Sequence, residues 1–281
     1  MKQGFLFMKN FIIPGFDKRP MLCDLYLPLN KDSTVVIFSH GFKGFKDWGA
    51  FNEIANYFQQ AGHAFLKFNY SHNGTTVKDP LNFSDLEAFG NNNFTKELYD
   101  LDQVINWVEH NLPKKVNIKN IVLLGHSRGG GLSVLKGSRD DRIDKIISWA
   151  SVCDFENRLP KNKIDIWKKR GVVYAYNGRT NQQMPMYFQF REDYYANKKN
   201  LSIPIAAKKL LKPTLIIHGD QDPTVNIKEG IQLHQWIKNS KLCVVKGADH
   251  VFNVKHPFLS VNSFSKELTV ALEKTVEFLN E

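Results

Sequence analysis

The sequence has few cysteines and no long apolar run. Its 281 residues include three cysteines, Cys23, Cys153 and Cys243, an odd number spread far apart. A disulfide scaffold is therefore excluded, and we expect three small buried side chains in a reducing compartment. No apolar run approaches the ~20 residues of a transmembrane helix, so the sequence predicts no membrane span.

The first fourteen residues are rich in apolar side chains but lack the pattern of a signal peptide. Lys9 and Asn10 interrupt the apolar stretch, and no small-residue cleavage site follows. We interpret residues 1–14 as an edge strand of a cytoplasmic protein. With 42% hydrophobic and 23% charged residues, the chain is typical of globular proteins and needs no metal to fold. No zinc or cofactor motif is present, and we expect neither a cofactor nor a metal.

Acidic residues are scarce in one segment of this basic chain. The net charge is +10, and residues 155–212 hold thirteen basic and four acidic residues, a net charge of +9. The asymmetry indicates a segment with a separate role. Most of its lysines are expected to form a solvated face. If the cluster Lys168, Lys169 and Arg170 lies at a site entrance, it should favour anionic substrates.

Short apolar runs alternate with amphipathic stretches along the rest of the chain. This alternation predicts an α/β fold, a mostly parallel sheet with helices on both faces. Strands are expected at 34–39, 64–70, 120–124, 145–151, 212–218 and 241–246, and helices at 51–61, 94–110, 126–135 and 263–279. Thr95 is a candidate N-cap of the second helix, and Pro113 follows its end. Residues 155–212 have no clear strand and are predicted to be a cap, inserted into a core of residues 1–154 and 213–281.

A G-x-S-x-G motif provides the main chemical signal. Gly125-His126-Ser127-Arg128-Gly129 lies between a predicted strand and a predicted helix. Such a turn places the serine in strained backbone angles and projects its hydroxyl above the sheet. Gly125 and Gly129 shape this turn because any side chain there would clash. We therefore predict that Ser127 is a nucleophile, with a solvated serine in a glycine-rich turn as the alternative.

A serine hydroxyl needs a base, which in turn needs an orienting acid. Asp222 follows a predicted strand, and His250 follows the last one, in the order serine, acid, histidine. Both are placed at the carboxyl ends of strands, where open α/β sheets build their sites. Asp220 and Asp249 are rival acids. Asp220 is better placed to shape the turn, and Asp249 adjoins the histidine and should point away from it.

The tetrahedral intermediate of acyl transfer needs amide donors for its oxyanion. The amide of Arg128, directly after the nucleophile, is one candidate. The second should come from the loop after the first central strand, His40-Gly41-Phe42. We predict the Phe42 amide as this donor, with Gly41 allowing the turn and His40 orienting the loop; a plain β-turn is the alternative.

These four motifs together resemble the α/β-hydrolase superfamily. GHSRG at 125–129, HGF at 40–42, G-x-x-D-x-x-V at 219–225 and ADHVF at 248–252 occur in the family's order. Over residues 20–280 the chain is similar to bacterial serine esterases and serine-aminopeptidase-like proteins, including cinnamoyl and feruloyl esterases. The resemblance implies an α/β-hydrolase fold with a small cap between strands 6 and 7. It also implies a Ser127–Asp222–His250 triad. Dienelactone hydrolases share the fold but use cysteine as nucleophile.

The cap has an aromatic run without a match in any one subfamily. Five of the nine residues from 187 to 195 are aromatic, among them Tyr187, Phe188 and Phe190. They are expected either to line an acyl pocket or to pack the cap onto the sheet.

The sequence predicts a serine esterase acting on a small-molecule ester. A peptidase or amidase with the same triad is the alternative. A basic nucleic-acid-binding protein is a distant alternative because no nucleic-acid-binding motif is present.

Overall fold

Ten strands, nine α-helices and three short 3₁₀ helices are present in the computed structural model, which describes residues 6–29, 32–112, 116–259 and 264–281. The strands are β1 Leu6–Pro14, β2 Pro20–Leu27, β3 Asp32–Ser39, β4 Ala64–Phe68, β5 Asn117–His126, β6 Lys145–Trp149, β7 Val172–Asn177, β8 Gln182–Tyr187, β9 Thr214–Gly219 and β10 Ser240–Val245. The helices are α1 Phe51–Gln60, α2 Leu86–Gly90, α3 Phe94–Asn111, α4 Arg128–Gly137, α5 Ile164–Arg170, α6 Gln189–Ala196, α7 Ile203–Lys209, α8 Ile227–Trp236 and α9 Lys266–Asn280. None of the described helices is long and apolar enough to cross a membrane.

Eight of the strands form one sheet in the order β1-β2-β4-β3-β5-β6-β9-β10. β2 is antiparallel to both of its neighbours, and the other six strands of this sheet are parallel to one another: β4, β3, β5, β6, β9 and β10. The predicted mostly parallel sheet is therefore confirmed. Because parallel strands end at one edge, the loops after β3, β5, β9 and β10 meet there.

Both faces of the sheet are covered, as the continuous apolar strands predict. Along β5, Leu123 packs into the cluster that also contains Leu101 of α3 and Leu132 of α4. Its neighbour Leu124 points the other way, into the cluster that contains Ile54 of α1. Successive side chains of a strand alternate between faces, so each buried strand supplies both clusters.

Residues 155–212 lie between β6 and β9 and contain a two-stranded antiparallel ribbon, β7 paired with β8. The expectation that this segment lacks strands is wrong. Tyr174 and Tyr176 are exposed on β7, so the ribbon lacks the continuous apolar run by which the central strands were found. Trp167 and Tyr194 of the same segment are buried in the cluster that also holds Leu132 of the core.

Other differences concern one helix cap and two elements that the sequence analysis missed. Asn93, rather than Thr95, caps α3, because its side chain accepts a hydrogen bond from the Lys96 amide at 2.9 Å. The sequence analysis did not anticipate β2 or α8. Of the predicted features, residues 1–5, Pro113 and Ser263 lie outside the described residues.

Candidate active site

Ser127 occupies the tight turn between β5 and α4. Its backbone has φ 57° and ψ −117°, a conformation that costs a non-glycine residue about 1–3 kcal/mol. The surrounding structure holds it there: the Ser127 amide donates to the Trp149 carbonyl at 2.9 Å, and its carbonyl accepts from Gly130 at 3.1 Å. The strain is thus maintained by contacts with the neighbouring strand and helix.

Gly125 and Gly129 make this turn sterically feasible. A Cβ on Gly125 would lie 2.2 Å from the Gly129 carbonyl oxygen, and one on Gly129 would lie 2.2 Å from the Ser39 carbonyl oxygen. Both distances are far below van der Waals contact. The two glycines therefore allow α4 to start directly against the end of β3.

Asp222 and His250 are brought together from the loops after β9 and β10. Nδ1 of His250 lies 2.7 Å from Oδ2 of Asp222. The other carboxylate oxygen, Oδ1, accepts from the amides of Thr224 and Val225 at 2.8 and 2.9 Å. Burial by itself would raise the pKa of Asp222, but hydrogen bonds from His218 and His250 outweigh it and hold this pKa well below its usual range. The carboxylate is therefore ionised.

The rival acids have other partners. Asp220 accepts a hydrogen bond from the Gly247 amide at 2.7 Å, and Asp249 accepts from the amides of Val251 and Asn253 at 2.9 and 2.7 Å. Asp249 stabilises a turn of its own loop, whereas Asp220 links the loop after β9 to the loop after β10. The structure thus places Asp222 on the histidine, and Asp220 and Asp249 on the backbone.

Two further histidines belong to the site and were not assigned by the sequence analysis. His218, at the end of β9, has its Nε2 2.8 Å from the Val225 carbonyl and 3.4 Å from Oδ2 of Asp222. His126 donates through Nε2 to the His250 carbonyl at 2.8 Å. Burial, followed by the neighbouring His250, lowers the pKa of His126 to about 3. His126 therefore stays neutral and fixes the His250 backbone; its position next to the serine was the available signal.

The loop after β3 packs directly against the serine. A Cβ on Gly41 would lie 2.9 Å from Cβ of Ser127, so only glycine fits. His40 donates through Nδ1 to the Gly41 carbonyl at 2.9 Å, and burial lowers its pKa to about 4. A neutral His40 thus orients the loop that carries Phe42. Arg128 is the first residue of α4, and its amide has no carbonyl partner inside the helix.

The Arg128 side chain extends away from its amide and joins the core to the cap. Nη1 donates to Oε1 of Glu97 at 3.1 Å. The guanidinium carbon lies 4.2 Å from the ring centroid of Phe42, 5.1 Å from that of Phe94 and 5.4 Å from that of Phe190. Cation–π contacts of a buried arginine are stabilising, so this side chain also fixes the Phe42 loop.

Two cavities meet at Ser127. The first, of about 280 Å³, is mostly apolar; its lining includes Val152, Phe155, Val173, Met186 and Val225. The second, of about 190 Å³, is lined by His250 and residues that include His40, Lys43, Trp48 and Arg179. Ser127 and Phe42 line both cavities. Ser127 is therefore accessible from two sides.

Tyr187, Phe188 and Phe190 do not line either cavity, so of the two expectations for the aromatic run, their contacts favour packing of the cap. Tyr187 donates to Oε2 of Glu87 at 2.5 Å, and Phe190 is buried against Phe94 at a centroid distance of 4.7 Å. These rings pack the cap onto α2 and α3, which is the alternative reading of the aromatic run. Nothing in the local sequence tells which side of the cap faces the serine.

The cluster Lys168, Lys169 and Arg170 also lies outside both cavities. The three residues form the exposed end of α5. The basic residues of the cap that line the cavities are Arg158 and Lys163 in the first and Arg179 in the second.

The family of the chain follows from a comparison with family models. The model described as BD-FAE matches residues 23–237, which is most of the sequence. The chain belongs to the BD-FAE family. This is a family of α/β-hydrolase esterases, so the resemblance drawn from the four motifs is confirmed.

Solved structures share the fold of this BD-FAE family member over nearly its whole length. Est1E from Butyrivibrio proteoclasticus with bound ferulic acid superposes with a TM-score of 0.71 at 20% identity, covering 96% of this chain and 98% of that one. The esterase Pf2001 from Pyrococcus furiosus gives a TM-score of 0.63 at 16% identity, with 98% and 91% covered. At these identities the likeness shows the α/β-hydrolase fold.

One curated relative is the quorum-quenching protein AidA of Acinetobacter baumannii (strain MDR-ZJ06). It is 25% identical over 162 residues, 56% of this chain. The match spans half of the length of AidA.

Proposed function

We propose that this BD-FAE family member is a serine hydrolase that cleaves carboxylic esters through an acyl-enzyme intermediate. Ser127 is the nucleophile, His250 the base and Asp222 the acid that orients it. The observation that carries the proposal is the 2.7 Å contact between His250 and Asp222, with His250 and the strained Ser127 lining the same cavity.

The steps follow from the hydrogen bonds. Because Asp222 is ionised, it accepts the Nδ1–H of His250 and leaves Nε2 free to take the proton of Ser127 as its oxygen attacks the carbonyl carbon. The oxyanion accepts hydrogen bonds from the amides of Phe42 and Arg128. It lies at the N-terminus of α4, where the helix dipole favours negative charge. His250 then protonates the departing alcohol, and water cleaves the acyl-enzyme by the same proton transfers in reverse.

The two cavities support a placement of the two halves of the ester. The leaving oxygen must receive its proton from His250, which lines the second cavity and not the first. We therefore place the alcohol portion in the second cavity and the acyl portion in the first. The apolar lining of the first cavity, with Val152, Met186 and Val225, suits an aliphatic or aromatic acyl group.

Two single variants and their combination test the triad. Ser127→Ala and His250→Ala should each lower kcat/KM for p-nitrophenyl esters and methyl hydroxycinnamates by about 10³-fold or more. Because the residues act as a unit, the double variant should be little worse than either single one. Ser138→Ala, at the far end of α4, is the matched control. Thermal unfolding checks that each variant folds, and clean additivity of the two losses would contradict the assignment.

A further inference from the structure

The second cavity contains two basic side chains and no acidic one. Lys43 and Arg179 both line it, and no aspartate or glutamate of the described ranges does. Lys43 follows Phe42 in the loop after β3, whereas Arg179 belongs to the turn between β7 and β8 of the cap. The core and the cap therefore each contribute one positive charge to the cavity that holds His250.

Both cations are held in place by contacts that leave their charges unneutralised. Nζ of Lys43 donates to the Tyr176 carbonyl at 2.9 Å. The guanidinium carbon of Arg179 lies 5.0 Å from the ring centroid of Phe45 and 5.5 Å from that of Phe83. Within the described part of the chain, neither has an ion-pair partner. Lys43 is half-buried and Arg179 is exposed. The desolvation that each undergoes lowers the pKa of both groups, and no acidic neighbour offsets it.

The two arginines that line the first cavity are paired, whereas the exposed Lys163 there has no ion-pair partner among the described residues. Arg128 forms an ion pair with Glu97 at 3.1 Å, and Arg158 forms one with Glu229. Partly desolvated charges are normally compensated in this way. Lys43 and Arg179 depart from this arrangement at the place where a substrate group would lie. The missing negative charge is therefore one that a ligand can supply.

We infer that Lys43 and Arg179 form a subsite for a carboxylate carried by the alcohol portion of the ester. The substrate class is then esters of hydroxy acids, cleaved at the hydroxyl of the acid. This inference rests on the proposed hydrolase function, because the role of His250 in protonating the leaving group is what assigns this cavity to the alcohol. Arginine and lysine at one site bind a carboxylate by charge-assisted hydrogen bonds.

The inference differs from a general attraction of anions by the basic cap. Lys168 and Lys169 belong to the same basic segment but lie outside both cavities. Their field at Ser127 is screened over about 8 Å at physiological ionic strength. The structure thus provides matched controls: cations of the same segment, exposed, and without contact to the proposed subsite.

The test compares two butyrate esters with the same acyl group and ring, one of 3-hydroxybenzoate and one of 3-hydroxybenzamide. The ratio of their kcat/KM values is measured for the wild type, Lys43→Met, Arg179→Met, Arg179→Lys and Lys169→Met. Each Met variant of the subsite should lower the anionic-to-neutral ratio by about tenfold, the range of one charge-assisted hydrogen bond. Arg179→Lys should keep most of the preference, and Lys169→Met should keep all of it. Differences in leaving-group reactivity cancel because only ratios between variants are compared.

A binding measurement tests the subsite without turnover. In Ser127→Ala, calorimetry should detect tighter binding of 3-hydroxybenzoate than of 3-hydroxybenzamide, and adding Arg179→Met should abolish the difference. If both esters are cleaved but the ratio is unchanged in Lys43→Met and Arg179→Met, the subsite is wrong and the hydrolase function stands. If neither butyrate ester is cleaved, and no p-nitrophenyl ester or methyl hydroxycinnamate is cleaved either, the hydrolase function is overturned. The calorimetric difference between 3-hydroxybenzoate and 3-hydroxybenzamide would still decide whether a carboxylate binds in the second cavity.

Discussion

At the scale of single residues, three aspartates near His250 differ in what their carboxylates accept. Asp222 accepts from the imidazole, whereas Asp220 and Asp249 accept from backbone amides. Asp222→Asn should therefore lower kcat by about 10⁴-fold, since an amide cannot hold the imidazole in the required tautomer. Asp220→Asn and Asp249→Asn should cost far less. Steady-state kinetics of the three purified variants decide this. A severe loss in Asp220→Asn would show that Asp222 is the wrong choice of acid in the loop after β9.

The low pKa of Asp222 also has a consequence for stability. A carboxyl whose folded pKa lies below its unfolded value of about 3.9 stabilises the fold above that pH, and the contribution is lost as the pH falls further. The wild type should therefore lose stability more steeply than Asp222→Asn between about pH 5 and pH 2. Urea unfolding at stepped pH measures both curves. Parallel curves would mean that the His218 and His250 contacts do not stabilise the ionised form.

At the scale of elements, the loop after β3 is tied to the sheet by a buried ion network. Nζ of Lys46 lies 2.7 Å from Oδ2 of Asp24 and 2.6 Å from Oδ2 of Asp47, and Lys67 on β4 contacts the same two carboxylates. The Lys46 amide also donates to Oδ1 of Asn69 at 2.6 Å. The side chains of Lys46 and Asp24 are fully buried. The network therefore fixes the loop that places Phe42 beside the serine.

Removing one partner of a buried ion pair leaves the other charge uncompensated. Lys46→Met should lower the free energy of unfolding by ~3–5 kcal/mol. The control is Lys119→Met, whose pair with Asp32 is exposed, at 58% and 52% side-chain exposure, and which should change it by less than ~1 kcal/mol. Urea denaturation measures both values. Equal effects of the two substitutions would show that the buried network does not hold the loop.

At the scale of the whole molecule, the cap and the core share one apolar cluster. Trp167 of α5 is fully buried, and its Nε1 donates to the Met186 carbonyl at 2.8 Å. Leu201 and Ile203 of the cap belong to the same cluster as Leu132 of α4. Elements that share a buried cluster open together, because neither can expose its apolar face alone.

We therefore expect the cap and the core to unfold in one transition. Hydrogen exchange followed by mass spectrometry should show peptides from β5 and from the β7–β8 ribbon losing protection at the same urea concentration. Trp167→Ala should shift both by the same amount and cost ~3–5 kcal/mol. Tyr174→Ala, with a side chain exposed on the ribbon, is the control. Earlier loss of protection in the ribbon alone would make the cap an independent unit.

Much of the fold, and the place of the candidate nucleophile within it, was determined by the sequence itself. The strand–turn–helix around Ser127, the alternation of apolar strands with helices, and the glycines at 125 and 129 are local features, set within a few residues by periodicity and backbone sterics. The ribbon of the cap was missed because a two-stranded element with exposed tyrosines has a weak apolar pattern.

Only the tertiary structure decided which side chains face the serine. His126 contacts the carbonyl of His250, 124 positions away in the sequence. Arg179 reaches the second cavity from the turn of the β7–β8 ribbon, which is not part of the eight-stranded sheet. The aromatic run at 187–195 could line the cavity or pack the cap onto the helices, and its composition is the same in both cases. The choice depends on how the cap rests on α2 and α3, which long-range packing sets and local propensity does not.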